Sequence, residues 1–112
     1  MELLNANQRH SWRRKARVTA ELRRTGGWLA RIRKVPRLER ARVDARYEPP
    51  DKRKRDPSNW FPSYKAAIDG ITDAGVLADD DSEHLDGPHM DIGPVHAKGR
   101  IVLTVTELAG ER

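Results

Sequence analysis

Apolar and polar positions recur along the chain in segments of differing period. Residues 1–8 are polar without a strong period and read as loop or a short strand. From about His10 to Arg33 the period becomes helical. Trp12, Ala16, Thr19 and Ala20 share one face, and Leu22, Leu29 and Ile32 continue an apolar stripe with some drift. Gly26-Gly27 interrupts this stretch. Each glycine costs a helix about 1 kcal/mol against alanine, which predicts two helices or one with a bend. Arg13, Arg14, Lys15, Arg17, Arg23 and Arg24 crowd the side away from the stripe.

Pro36 closes that region, and residues 40–48 alternate. Ala41, Val43, Ala45 and Tyr47 point one way and Arg40, Arg42, Asp44 and Arg46 the other, the signature of a half-buried strand. Pro49-Pro50 cannot continue a ladder, so a charged loop follows over 51–56, and this strand is expected at the sheet's edge. A second helix starts near Pro62, carries the apolar stripe Tyr64, Ile68 and Ile71, and stops at Gly75. Residues 83–93 read as an irregular strand broken by Gly87-Pro88, and Lys98-Gly99 as a turn. In the last segment Ile101, Leu103 and Val105 alternate with Val102, Thr104 and Thr106, which predicts a strand inside the sheet. Helix, strand, helix, strand, strand implies an α/β fold, a two-layer sandwich of a small mixed sheet with packed helices.

The chain's 112 residues suffice for a single domain over 1–112 with one modest core. No run reaches the apolar length of a membrane span, so no membrane partner is expected. With no cysteine, thiolate zinc sites, disulfides and a cysteine nucleophile are all excluded, which suits a reducing cytoplasm. Charge adds the main functional clue. Residues 1–55 hold 18 Lys/Arg against 6 Asp/Glu, a balance of +12, while residues 56–112 hold 4 against 11, a balance of −7. A basic half this dense attracts a polyanion, and nucleic acid is the usual one. The acidic half would repel the same phosphates unless divalent cations sit between them.

Candidate chemistry therefore begins with the carboxylates. Asp56 ends the charged loop, and Asp79, Asp80 and Asp81 follow the second helix. Carboxylates from separate elements are what a nuclease needs to hold Mg²⁺, a hard ion suited to oxygen ligands. Lys65 could stabilise charge developing on a phosphate; its plainer role is an ion pair with Asp69 one turn on. Trp12 and Trp28 read as core residues, and Trp60, beside the charged loop, as equally suited to core or to stacking on an unpaired base. His10, His84, His89 and His96 show no metal spacing, and Ser58 and Ser63 have no histidine partner.

The residues 50–59 (Pro-Asp-Lys-Arg-Lys-Arg-Asp-Pro-Ser-Asn), 65–70 (Lys-Ala-Ala-Ile-Asp-Gly) and 73–80 (Asp-Ala-Gly-Val-Leu-Ala-Asp-Asp) together resemble the RusA family of Holliday junction resolvases, many of them carried by phages and prophages. The closing stretch 98–108 and, loosely, Asn7 to Arg13 extend the resemblance over most of the chain. It implies a RusA-like fold and a homodimeric, Mg²⁺-dependent crossover junction endodeoxyribonuclease that nicks four-way DNA junctions in symmetric pairs during recombination and repair. It further implies that Asp56 matches the first aspartate of an Asp-x-Asp-Asn motif, Asn59 its asparagine, Lys65 the catalytic lysine, and Asp79 and Asp80 the paired aspartates after the helix. A shift of one residue would make that pair Asp80 and Asp81. Without that shift, metal would rest on Asp56, Asp79 and Asp80, catalysis on Asp56, Asp80 and Lys65, and DNA on Lys52, Arg53, Lys54, Arg55, Asn59, Arg13 and Arg14. Two departures stand out: Ser58 replaces the motif's second aspartate, and about three extra residues separate Asn59 from Lys65. They leave a branched-DNA-binding protein with impaired or absent cleavage as the alternative expectation.

Overall fold

The centre of the fold is β1, Arg40–Glu48, in a computed structural model that describes residues 2–9 and 11–109. Its period-two pattern does what alternation dictates. Ala41, Val43, Ala45 and Tyr47 are buried, while Arg42, Asp44 and Arg46 lie on the opposite, open face. The sheet order is β2-β1-β3, with β2 spanning Leu85–Ile92 and β3 spanning Arg100–Leu108. β1 runs parallel to β2 and antiparallel to β3, so the sheet is mixed as expected. The register slips between Arg42 and Asp44, opposite Gly87-Pro88. Pro88 has no N–H to give the ladder, and Gly87 takes φ 127°, so the break foreseen there is local and the strand continues past it.

Two expectations about the sheet need correction. The alternating strand over 40–48 is central rather than at the edge, and β3 is an edge strand rather than an inner one. The edge expectation rested on Pro49-Pro50, which follow β1 rather than interrupt its ladder, and the inner one on the β-branched run of β3. The helices cover only one face of the sheet, so the β-branched run of β3 never needed burial on both sides. Val102 is half-buried and Thr104 and Thr106 are exposed. The open face is closed off by charge instead. Arg42 pairs with Asp44 at 3.1 Å, and Arg46 and Arg100 flank the buried Glu48 at 2.8 and 2.5 Å.

The helical layer is α1, Trp12–Ile32, against α2, Phe61–Asp73. Ser11 caps α1, its side chain accepting from Arg14 N–H at 3.1 Å. His10, where the helical pattern begins, lies outside the described residues, as does Met1. The break predicted at Gly26-Gly27 is absent: α1 is one continuous helix of 21 residues. The glycines mark where α1 meets α2. A Cβ on Gly26 would stand 2.5 Å from the Ala67 carbonyl oxygen, and one on Gly27 would stand 2.9 Å from that of Gly70. Close backbone approach compensates for the helix propensity the glycines forfeit. The buried face follows Val18, Leu22 and Ala30, with Gly26 on the same line. The stripe drawn through Trp12, Ala16 and Ile32 is therefore displaced: Trp12 is 75% exposed and Trp28 56%, and neither is core.

The expected α2 is present, with Tyr64, Ile68 and Ile71 buried and Gly75 at φ 88° just past its end. Ser63, fully buried, explains the N-terminal segment. Its hydroxyl accepts from Leu4 N–H at 2.6 Å and donates to Leu4 C=O at 2.9 Å, so residues 2–9 are tied to α2 without forming a strand. Ala41, Val43, Ile68, Val76, Leu77 and Leu85 form the core between sheet and helices. No described helix is long and apolar enough to cross a membrane.

Candidate nucleic-acid interface

The loop after β1 is organised by Asp51. Its carboxylate accepts from Arg53 N–H at 3.0 Å, from the Arg53 side chain at 3.2 Å and from Arg55 Nη2 at 2.8 Å. Arg55 Nη1 also donates to the carbonyls of Asp51 and Arg53, and its guanidinium lies 5.9 Å from the Tyr47 ring centre. The Arg53 contacts first, then Arg55, hold the Asp51 carboxyl far below the usual carboxylate range. The four cations expected to grip DNA are thus unequal. Lys52, Arg53 and Lys54 are exposed, whereas the Arg55 side chain is only 11% exposed and holds the loop together. Sequence reasoning missed Asp51 as organiser, although its spacing of two and four residues to Arg53 and Arg55 is a turn signature.

Asp56 caps the 3-10 turn Pro57–Trp60 that leads into α2. Its Oδ1 accepts from Ser58 N–H at 3.0 Å and from the Ser58 hydroxyl at 2.8 Å, and these two bonds lower its pKa. An aspartate at 58 would set a like charge beside Asp56; the serine donates to it. Asn59 borders the same turn, its backbone carbonyl accepting from Ala6 N–H at 2.7 Å. On α1, Arg13 lies 5.3 Å from the Trp12 ring centre, while Arg14 and Arg17 pair with Glu2 at 3.0 and 2.8 Å.

Lys65, in the second turn of α2, meets two acids. Its ammonium donates to Asp69 at 2.7 Å and to Asp80, which is fifteen residues away in sequence. The chain after α2 thus doubles back along the helix. Asp69 first, then Asp80, raise the Lys65 pKa, and the Lys65 hydrogen bond lowers that of Asp80. The neighbours of Asp80 are otherwise engaged. Asp79 accepts from Asp80 N–H at 2.7 Å, and Asp81 accepts from the N–H groups of Glu83 and His84 and pairs with His84 Nδ1 at 2.6 Å. Of the three consecutive aspartates, Asp80 alone is turned to Lys65, and Asp69 shares that lysine.

Between residues 5–8, the charged loop and the 3-10 turn lies an open cleft of about 410 Å³. Tyr47 and Trp60 back it, their rings stacked with centroids 4.0 Å apart and planes inclined 15°. A second hollow of about 320 Å³, lined by Arg37, Leu38, Glu39, Ala78 and His84, contains none of the residues singled out for chemistry. No family model matches the chain, and no curated protein matches it.

Carboxylate oxygens are the right donor type for Mg²⁺, but the arrangement does not yet fit one. Asp56 faces Ser58, Asp79 its own chain and Asp80 the Lys65 ammonium. Among the described residues no three His, Asp or Glu side chains are grouped to hold a metal ion. What the arrangement offers as it stands is an exposed cationic loop, a polar cleft and a lysine held between two acids.

Proposed function

We propose that this protein is a RusA-like endodeoxyribonuclease that binds branched DNA and nicks four-way junctions in symmetric pairs. The observation that carries this reading is the pairing of Lys65 with Asp80. They are the lysine and the better placed of the aspartates to which the resemblance assigns chemistry, and they come from separate elements. Lys52, Arg53 and Lys54 would bind backbone phosphates, giving salt-sensitive affinity without sequence preference. An ammonium has three N–H donors; Asp69 and Asp80 take two, leaving one for a phosphate oxygen at the scissile position. Asp56, at the mouth of the cleft, would stand beside that strand.

Mg²⁺ is the ion the resemblance implies, and when bound such an ion polarises a phosphate oxygen and lowers the pKa of water. As they stand, the acids among the described residues are not grouped to hold it. A homodimer acting in the cytoplasm completes the reading, since two sites related by a two-fold axis match a two-fold junction.

A binding protein without cleavage is the second reading, and Ser58 favours it, because the hydroxyl occupies Asp56 where the motif has another acid. A synthetic four-way junction incubated with Mg²⁺ separates the two. The nuclease gives paired nicks that Asp80→Asn abolishes. The binder gives a salt-sensitive complex and no product. Equal affinity for junction and linear duplex would sink both. Ser58→Asp then tests the departure itself: unchanged Mg²⁺ affinity and unchanged cleavage would show that position 58 does not limit the site.

A further inference from the structure

We propose that the cleft beside Asp56 is a pocket for a single unpaired DNA nucleotide, taken out of the base stack where the strands cross. This rests on the DNA-binding reading above and adds to it the unit of DNA that the site recognises.

Size makes the first argument. At about 410 Å³ the cleft lies in the range of about 300–1,000 Å³ typical of small-ligand sites, room enough for a nucleotide and far too little for a duplex. The character of the walls makes the second. Arg53 and Lys54 supply positive charge on the loop side, while the amide-bearing residues Asn5, Gln8 and Asn59 line the other walls. Cations suit a phosphate. Amides carry donors and acceptors together, as does the Watson–Crick edge of a base freed from its partner. Tyr47 and Trp60 are both buried, so they form an apolar back wall for the base to pack against rather than a free face to stack upon.

The cleft is also built rather than incidental. Its N-terminal wall is pinned by Ala6 N–H to Asn59 C=O and by Leu4 to the Ser63 hydroxyl. The opposite wall is pinned by Asp51, which engages both Arg53 and Arg55, with the exposed Lys54 beside them at the rim. Asp56 repels phosphate from its own side of the mouth. A base seated inside therefore leaves its phosphate on the cationic rim, away from Asp56. Such a pocket would give the protein a base preference next to the cut that its phosphate contacts cannot supply.

The test uses the full-length protein and a four-way junction carrying a fluorescent purine analogue, which brightens on unstacking, beside the crossover. Anisotropy reports the complex, and analogue emission reports the flipped base. Expected is a several-fold rise in emission at saturation. Gln8 is exposed, so Gln8→Ala and the cleft-filling Gln8→Trp should both fold, and each should at least halve the rise. Affinity should fall by less than tenfold, because phosphates carry most of it. A saturated complex with unchanged emission overturns the pocket while leaving junction binding intact. An emission rise that both variants retain also overturns it, since the base would then be unstacked elsewhere. Absence of any complex overturns the pocket together with the DNA-binding reading.

Discussion

Replacing Gly70 by alanine sets helix propensity against packing, and the structure says which wins. In an isolated helix the change would stabilise by about 1 kcal/mol. In the fold, the new Cβ would overlap the Arg23 carbonyl oxygen and stand 2.8 Å from both the Arg23 carbonyl carbon and Gly27 N. Real Cβ atoms essentially never come within 3.0 Å of such atoms, and all three belong to backbone that no rotamer change can move. α1 and α2 must part. A gap of about 0.5–1 Å forfeits about a quarter to a half of each dispersion contact across the seam. Overpacking typically costs about 1–3 kcal/mol and sometimes more, and this overlap is severe. After the propensity gain, a net loss of about 2 kcal/mol remains, or roughly 8–16 °C in Tm for a small domain. Gly26→Ala, whose Cβ would lie 2.5 Å from Ala67 O, should cost less, and Gly27→Ala, at 2.9 Å from Gly70 O, least. Gly26→Ala combined with Gly70→Ala should cost less than the two apart, because helices already separated need not separate twice. Thermal and urea unfolding followed by circular dichroism read all of these. A Gly70→Ala protein as stable as the parent, or more so, would refute the close-approach argument.

Three further outcomes follow from single groups. Among the described residues the buried Tyr64 hydroxyl has no hydrogen-bond partner, and burial pushes its pKa up to about 12; Tyr64→Phe should therefore hold or raise stability by up to about 1 kcal/mol in urea titration, and a loss beyond that would reveal a hidden partner. Asp51, Asp56, Asp73 and Asp80 all have folded-state pKa values lowered by their partners, chiefly Arg53, Ser58, Arg23 and Lys65. The unfolded chain then binds more protons in acid, so their contribution is complete above about pH 4–5 and lost as pH falls through the folded values. Unfolding free energy should be level from neutral to about pH 5 and drop towards pH 3; a level curve down to pH 3 contradicts the pairings. Finally, removing Lys52 and Lys54 together should lower the slope of log affinity against log salt by up to about 0.9 per lost phosphate contact. Arg55→Ala should instead lower Tm with little change of slope, because its guanidinium is spent on Asp51 and Tyr47.

The elements that sequence predicts well are those whose signal is local and repeated. Residues 40–48 alternate and end at Pro49-Pro50, and β1 has those limits. Pro62, Tyr64, Ile68, Ile71 and Gly75 mark α2 in the same way. The misreadings all involve a penalty or benefit settled by a distant neighbour. Gly26-Gly27 carries a local cost, but its return comes from Ala67 and Gly70, some forty residues along the chain. The β-branched run of β3 suits an inner strand, yet whether a strand is inner depends on how many others join the sheet. Trp12 and Trp28 look like core because large aromatics usually are, and the helix turns Val18 and Leu22 inward instead.

The candidate site divides along the same line. Three consecutive aspartates are indistinguishable by charge or by alignment, since a shift of one residue changes which pair is chosen. Local hydrogen bonding separates them. Asp81 precedes two N–H groups it can cap and a histidine within reach, and Asp79 can accept from the next N–H, as short polar side chains in turns do. Asp80 is what remains for Lys65. The turn chemistry of residues 79–84 was thus legible, whereas the return of that turn to the second turn of α2 was not, because it depends on how the chain doubles back after Gly75. Ser58 works in the opposite sense. Read as a missing carboxylate it weakens the case for a metal site, but its two bonds to Asp56 also favour that acid's charged form and hold its carboxylate in place beside the cleft. Whether position 58 costs the protein a ligand or supplies Asp56 with a holder is therefore a question about one hydroxyl. Ser58→Ala, which removes the hydroxyl without adding charge, separates the two. If serine holds Asp56, alanine should weaken junction cleavage or binding as Asp56 loses its orientation. If serine is only a lost ligand, alanine should behave like the parent.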